Sequence, residues 1–111
     1  MLEYRKLVFV GIDPHKETHV AVMIDHWGEV FFELEFPNEP KGFEELVEHV
    51  DANTPHGKTA VFGIEDTGGL GRSCAQWLTL RDKVVKGVNP IMSSEKRKKR
   101  PHRPKNDVID A

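Results

Sequence analysis

The sequence predicts an α/β domain built on a mixed five-stranded sheet, with its first three strands an antiparallel meander and its helices packed on the sheet. Three observations lead there. First, a continuous apolar run at residues 7–10 is followed by two alternating stretches, Val20/Val22/Ile24 and Val30/Phe32/Leu34/Phe36, with short turns between them. Second, Phe43, Leu46, Val47 and Val50 fall at i, i+3, i+4, i+7, the apolar stripe of a helix. Third, apolar runs at residues 59–64 and 83–88 flank a second helical segment, which gives the order β-β-β-α-β-α-β. A meander followed by alternating helix and strand implies a mixed sheet covered by helices. Right-handed crossover places the fourth strand beside the first and parallel to it.

Taken in order, Leu7, Val8, Phe9 and Val10 read as a strand buried on both faces. Gly11 and Ile12 carry it to Asp13, and residues 14–18 turn the chain. In the second strand Val20, Val22 and Ile24 are expected to face the core. His26-Trp27-Gly28-Glu29 is a turn into the third strand, which Pro37-Asn38-Glu39-Pro40 stops. The first helix keeps Glu44, Glu45 and Glu48 on its solvent side, and residues 53–57 form a loop. The fourth strand ends at Glu65, before the loose turn of Gly68, Gly69 and Gly71. A helix to about Leu80 follows, with Leu70, Cys74, Trp77 and Leu78 on one face. Cys74 reads as a small core residue rather than a nucleophile. Trp77 reads as core and Trp27 as a turn residue. Val84, Val85 and Val88 belong to the fifth strand, which Asn89-Pro90 ends.

The 111 residues suffice for one small domain. No apolar run approaches the roughly 20 residues that cross a bilayer, so no membrane partner is expected. The single cysteine forms no internal disulfide and fits a reducing cytoplasm. The formal net charge of −2 hides a segregation. In residues 96–105, KRKKRPHRPK, Lys96, Arg97, Lys98, Lys99, Arg100, Arg103 and Lys105 are basic and nothing is acidic. Residues 1–95 carry nine basic against 16 acidic side chains, a net of −7. An acidic body with one basic ribbon points to polyanion binding confined to one place; a solvated tail is the plainer reading. Asn106 is a plausible N-cap for a last helical turn at residues 106–111. The chain thus divides into a core at 1–95, a ribbon at 96–105 and the start of an acidic helix at 106–111.

Four carboxylates carry the chemistry. Asp13 and Glu65 both end strands expected to be adjacent, about 4.8 Å apart. Two unpaired carboxylates at that distance repel, and a divalent cation removes the penalty. Hard oxygen ligands suit Mg²⁺ or Mn²⁺. Asp107 and Asp110, three apart, share one face of a helix. Folded against the strand ends, they make four carboxylates, enough for two metals about 3.5–4 Å apart as in phosphodiester chemistry. Each acid also has a structural reading: Asp13 as a turn cap, Glu65 as a helix cap, Asp107 and Asp110 as complements to a helix dipole. Lys16 could touch a phosphate or stand solvated in the turn. His15 and His19 read as polar surface or DNA contacts more readily than as metal ligands.

GIDPHKETH, GIEDTGG, VNP and KNDVIDA, in this order and spacing, resemble the N-terminal catalytic domain of the DEDD transposases of insertion sequences, the RuvC-like, bridge-RNA-guided recombinases. The resemblance runs from Leu7 to Ala111. It implies a ribonuclease-H-like fold, with Asp13, Glu65, Asp107 and Asp110 as the catalytic, Mg²⁺-binding acids. It implies work in DNA strand cleavage and exchange, with a guide RNA and a homo-oligomer as further expectations for the full-length protein, and a nucleoid location. Family members continue through a helical region into a second domain bearing a serine nucleophile. Ser73, Ser93 and Ser94 match no such motif, so the chain is expected to be a piece of a longer protein, inactive by itself.

Two other readings compete. One is a non-catalytic nucleic-acid-binding module held by the basic ribbon alone. The other is half of an actin-like phosphotransferase, a superfamily that also opens with strand, Asp and hairpin. Its phosphate hairpin needs small residues, and Pro14, His15, Lys16 and Glu17 are poor choices for it.

Overall fold

The computed structural model describes residues 4–88. The predicted ribbon and final acidic turn, with Asp107, Asp110 and the seven ribbon cations, lie outside the described residues. A short 3-10 turn at Tyr4–Lys6, which the sequence pattern did not suggest, leads into β1 (Leu7–Pro14). There follow β2 (Thr18–Ile24), β3 (Val30–Pro37), α1 (Pro40–Asn53), β4 (Thr59–Glu65), α2 (Arg72–Leu80) and β5 (Val84–Val88).

The five strands form one sheet in the order β3-β2-β1-β4-β5. β1 pairs antiparallel with β2 on one side and parallel with β4 on the other. β2 and β3 are antiparallel, and β4 and β5 parallel. The expected α/β class, the meander and the parallel β1–β4 neighbourhood are all present.

The core lies on one face of the sheet. Val8, Val10 and Ile12 of β1 join Ala21 and Met23 of β2, Phe36 of β3, and Phe62 and Ile64 of β4. Phe43, Leu46 and Val50 of α1 and Cys74 and Leu78 of α2 close over them, all at 3% exposure or less. Burying each large apolar side chain contributes about 1.5–3 kcal/mol. The α1 stripe is as expected, with Glu44, Glu45 and Glu48 exposed. Gly42 lies in the first turn of α1, where a Cβ would overlap the Pro37 carbonyl oxygen, so the helix meets the end of β3 backbone to backbone.

Three expectations about facing are corrected. β1 is not buried on both faces: Val8, Val10, Ile12 and Pro14 are buried, Leu7 and Phe9 are half-buried, and Gly11 and Asp13 are exposed. The buried strand positions and both helices belong to one cluster on one side of the sheet. In β2 the buried residues are His19, Ala21 and Met23, while Val20, Val22 and Ile24 are half-buried. Register decides this. Ile12 pairs with Ala21 and Val10 with Met23, and residues directly opposite share a face. Finally, α2 begins only at Arg72, so Leu70 belongs to the preceding turn and is 45% exposed. Cys74 is buried as expected, and burial pushes its thiol up to about 12.

Candidate functional site

The parallel β1–β4 register runs from Leu7 opposite Thr59 to Ile12 opposite Ile64. Asp13 and Glu65 are the next residues on these two adjacent strands. They fall on the face away from the core, since Ile12 and Ile64 face into it. Neighbouring strands lie about 4.8 Å apart, so the two residues sit side by side at the end of the sheet. Across the sheet Asp13 pairs with Val20, and Glu65 with Val88. The acid pair is thus framed by two valines, with Asp13 exposed and Glu65 half-buried.

Local structure frees both carboxylates from turn duty. Asp13 Oδ2 meets His15 Nε2 at 3.3 Å, and the turn is closed by other groups. The His15 N–H donates to Thr18 O at 3.0 Å and to His19 Nδ1 at 3.2 Å. Asn38 ties the hairpin to the end of β3: its Nδ2 donates to Lys16 O at 3.2 Å and its backbone N–H to Glu17 O at 2.9 Å. After β4 the turn is closed by Asp66, not Glu65, and α2 has no side-chain cap. Asp66 Oδ2 accepts the Leu70 N–H at 3.0 Å, and Asp66 O accepts the N–H groups of Gly69 and Gly71. Asp66 takes a positive φ of 53°, which short polar side chains tolerate best.

His19 corrects the surface reading. It is fully buried, edge-on to Phe36 at 5.5 Å and stacked on Phe43 at 6.2 Å. Its Nδ1 accepts from His15, which assigns the ring proton to Nε2, and Nε2 has no hydrogen-bond partner among the described residues. A metal-ligand role for His19 does not fit this placement. Alternation of the valines hid it, because the parity that buries His19 is set by pairing across the strands. Asn38 also escaped notice; its signal was its place directly after Pro37, where the β3 end meets the first hairpin. Lys16 is exposed at the tip of that hairpin.

Among the described residues no group of three or more His, Cys, Asp or Glu comes together as a metal cage. The pair Asp13 and Glu65 offers hard oxygen donors on an open face. That suits a small divalent cation that keeps part of its water shell. Asp107 and Asp110 lie outside the described residues.

A search of the curated proteins finds no match. Among solved structures the chain is similar to the ethanolamine utilization protein EutJ from Carboxydothermus hydrogenoformans, at 12% identity and a TM-score of 0.46, covering 79% of this chain and 39% of that one. It is also similar to the Aquifex aeolicus member of the Ppx/GppA family, at 10% identity and a TM-score of 0.46, covering 78% of this chain and 36% of that one. The chain therefore spans about two fifths or less of the length of either. The family model of DEDD transposases of the IS110 type, described as Transposase, matches residues 10–111, a stretch that includes Asp13, Glu65, Asp107 and Asp110. By that match the chain belongs to the IS110-type DEDD transposase family.

Proposed function

We propose that this chain is the ribonuclease-H-like catalytic part of a DNA recombinase, and that Asp13 and Glu65 hold Mg²⁺ or Mn²⁺ together with Asp107 and Asp110. The observation that carries the reading is the parallel register of β1 and β4, which sets Asp13 beside Glu65 on one face. The sheet order, with an antiparallel meander on one side of β1 and parallel strands on the other, is compatible with that fold. When bound, two such ions lower the pKa of an attacking water or hydroxyl and stabilise the leaving oxygen of a phosphodiester. The chain's own part is to place the donors. β1 and β4 fix two carboxylates, and the His15 ring orients that of Asp13. Lys16, exposed at the hairpin tip, is open to a phosphate of the bound strand. The ribbon cations Lys96, Arg97, Lys98, Lys99, Arg100, Arg103 and Lys105 supply the salt-dependent grip on DNA. A guide RNA, a homo-oligomer and a place at the nucleoid belong to the same proposal.

Calorimetric titration with Mn²⁺ tests it against the binding-module alternative. Asp13→Ala and Glu65→Ala each weaken metal binding while leaving DNA affinity near that of the parent chain. If the parent chain takes up no metal, and DNA affinity depends on the ribbon alone, the domain is a binding module and the catalytic reading fails.

A further inference from the structure

The end of the sheet opposite Asp13 carries an exposed indole on a rigid turn. Trp27 is 80% exposed, although tryptophan is highly buried on average. Its turn is bonded throughout. Asp25 Oδ1 accepts the Trp27 N–H at 2.8 Å and the Glu29 N–H at 2.9 Å. The Asp25 N–H donates to Glu29 O, and the Gly28 N–H to Asp25 O, each at 3.0 Å. Gly28 takes φ +86°, a conformation that suits glycine. The His26 ring lies 4.8 Å from the indole, tilted by 41°, and supports one side of it.

None of this ordering serves the core, to which residues 25–29 contribute nothing. A turn already held in shape loses little freedom on binding, and so presents its side chain at low cost. The register adds charge at the same end. Leu7 pairs with Thr59, so Lys6 and Lys58, each one residue earlier, reach the same edge, with Arg5 just before. Phe9 pairs with Ile24, which sets the turn after β2 beside the start of β1. Over residues 4–88 acids outnumber bases 14 to nine, so three cations here run against the body's charge. Asp25 is engaged by the turn and lies near Lys58, and Glu29 is the turn's other carboxylate.

We propose that Trp27 is a stacking platform for an unpaired base of single-stranded DNA, with Arg5, Lys6 and Lys58 meeting the adjoining phosphates. The proposal rests on DNA as the chain's partner but not on the metal site. An aromatic face with neighbouring cations is the arrangement that binds single strands irrespective of sequence. A protein partner is the poorer fit. Interfaces cover about 800 Å² a side around an apolar centre, and among the described residues Val30, at the start of β3, is the one exposed large apolar side chain next to the turn in sequence. Leu80, also strongly exposed, ends α2 next to β5 at the other edge of the sheet. Asp13 lies six residues along β1 from Leu7, which is at the Trp27 end of the strand, roughly 20 Å away at about 3.3 Å per residue. The platform therefore holds the strand several nucleotides from the acid pair.

Tryptophan emission of the whole chain, titrated with single-stranded DNA at low salt, tests this. The expected result is quenching that Trp77→Phe keeps and Trp27→Phe removes. Trp27→Ala is expected to weaken single-strand affinity about 5- to 150-fold, with unchanged melting temperature and partial recovery in Trp27→Phe. Asp13→Ala leaves the quenching as it is, which separates this test from that of the metal site. Unchanged affinity in Trp27→Ala, or equal Trp27 dependence with duplex DNA, overturns the proposal. Tighter Trp27-dependent binding to single-stranded RNA overturns the choice of DNA. A concentration-dependent shift of Trp27 emission without nucleic acid shows self-association instead, and overturns it too.

Discussion

Asp13 and Glu65 stand one residue beyond the Ile12–Ile64 pair, on adjacent parallel strands and on the same face of the sheet. Fifty-one residues lie between them, and the connection through β2, β3 and α1 brings them together. The proposed metal chemistry depends on that register.

Two glycines should respond in opposite ways. A Cβ at Gly42 would collide with the Pro37 carbonyl, whereas at Gly11 it finds nothing within 4 Å. Gly42→Ala is expected to cost stability by about 1–3 kcal/mol through overpacking. Gly11→Ala should be neutral or stabilising by up to about 1 kcal/mol, since glycine weakens a strand interior. Urea unfolding of both variants checks the pair.

The β2–β3 turn should loosen in acid. Desolvation pushes the Asp25 carboxyl upward, but the Glu29 and Trp27 N–H groups, with His26 and Lys58 nearby, outweigh it and hold the carboxyl below its ordinary value. A carboxylate depressed on folding stabilises the fold above its unfolded pKa of about 3.9, and that contribution fades as pH falls through the folded value. The Trp27 and Glu29 amide shifts should stay constant above about pH 5 and move together below about pH 4. Asp25→Ala abolishes the transition. Movement near neutrality would contradict this account of the turn.

Cys74 should be chemically silent while the chain is folded. Burial pushes its thiol up to about 12, so almost no thiolate exists at pH 8. A disulfide reagent is expected to label it only after denaturant unfolds the chain; rapid labelling of the native protein would show that α2 lifts from the sheet.

His19→Phe should not destabilise the fold. The His15 N–H keeps Thr18 O as an acceptor, and the change removes a buried Nε2–H without a partner among the described residues, whose burial costs about 1–3 kcal/mol. Thermal melting is expected to show an equal or higher midpoint. A large loss would mean that the Nδ1 bond, not the turn, holds the hairpin.

Much of this architecture was legible in residue order. Alternation and the i, i+3, i+4, i+7 stripe marked the strands and α1, and turn residues marked their ends. The side each strand buries was less so. Val20, Val22 and Ile24 look like a core face, yet Ala21 and Met23 take it because of what lies opposite on β1. That parity is a property of pairing, which a single strand does not encode. The roles of Asp66 and Asn38 were hidden for a related reason: Asp66 sits next to a more conspicuous acid, and Asn38 acts on a turn 22 residues away from its own place in the chain.

The most direct test of the Asp13–Glu65 site is paramagnetic broadening of backbone amide signals by substoichiometric Mn²⁺. The account predicts loss of signal centred on Ile12, Asp13 and His15 and on residues 64–66, abolished in the double variant Asp13→Ala/Glu65→Ala, whose other shifts stay native. Broadening that spares both strand ends, or that survives in the double variant, would contradict it.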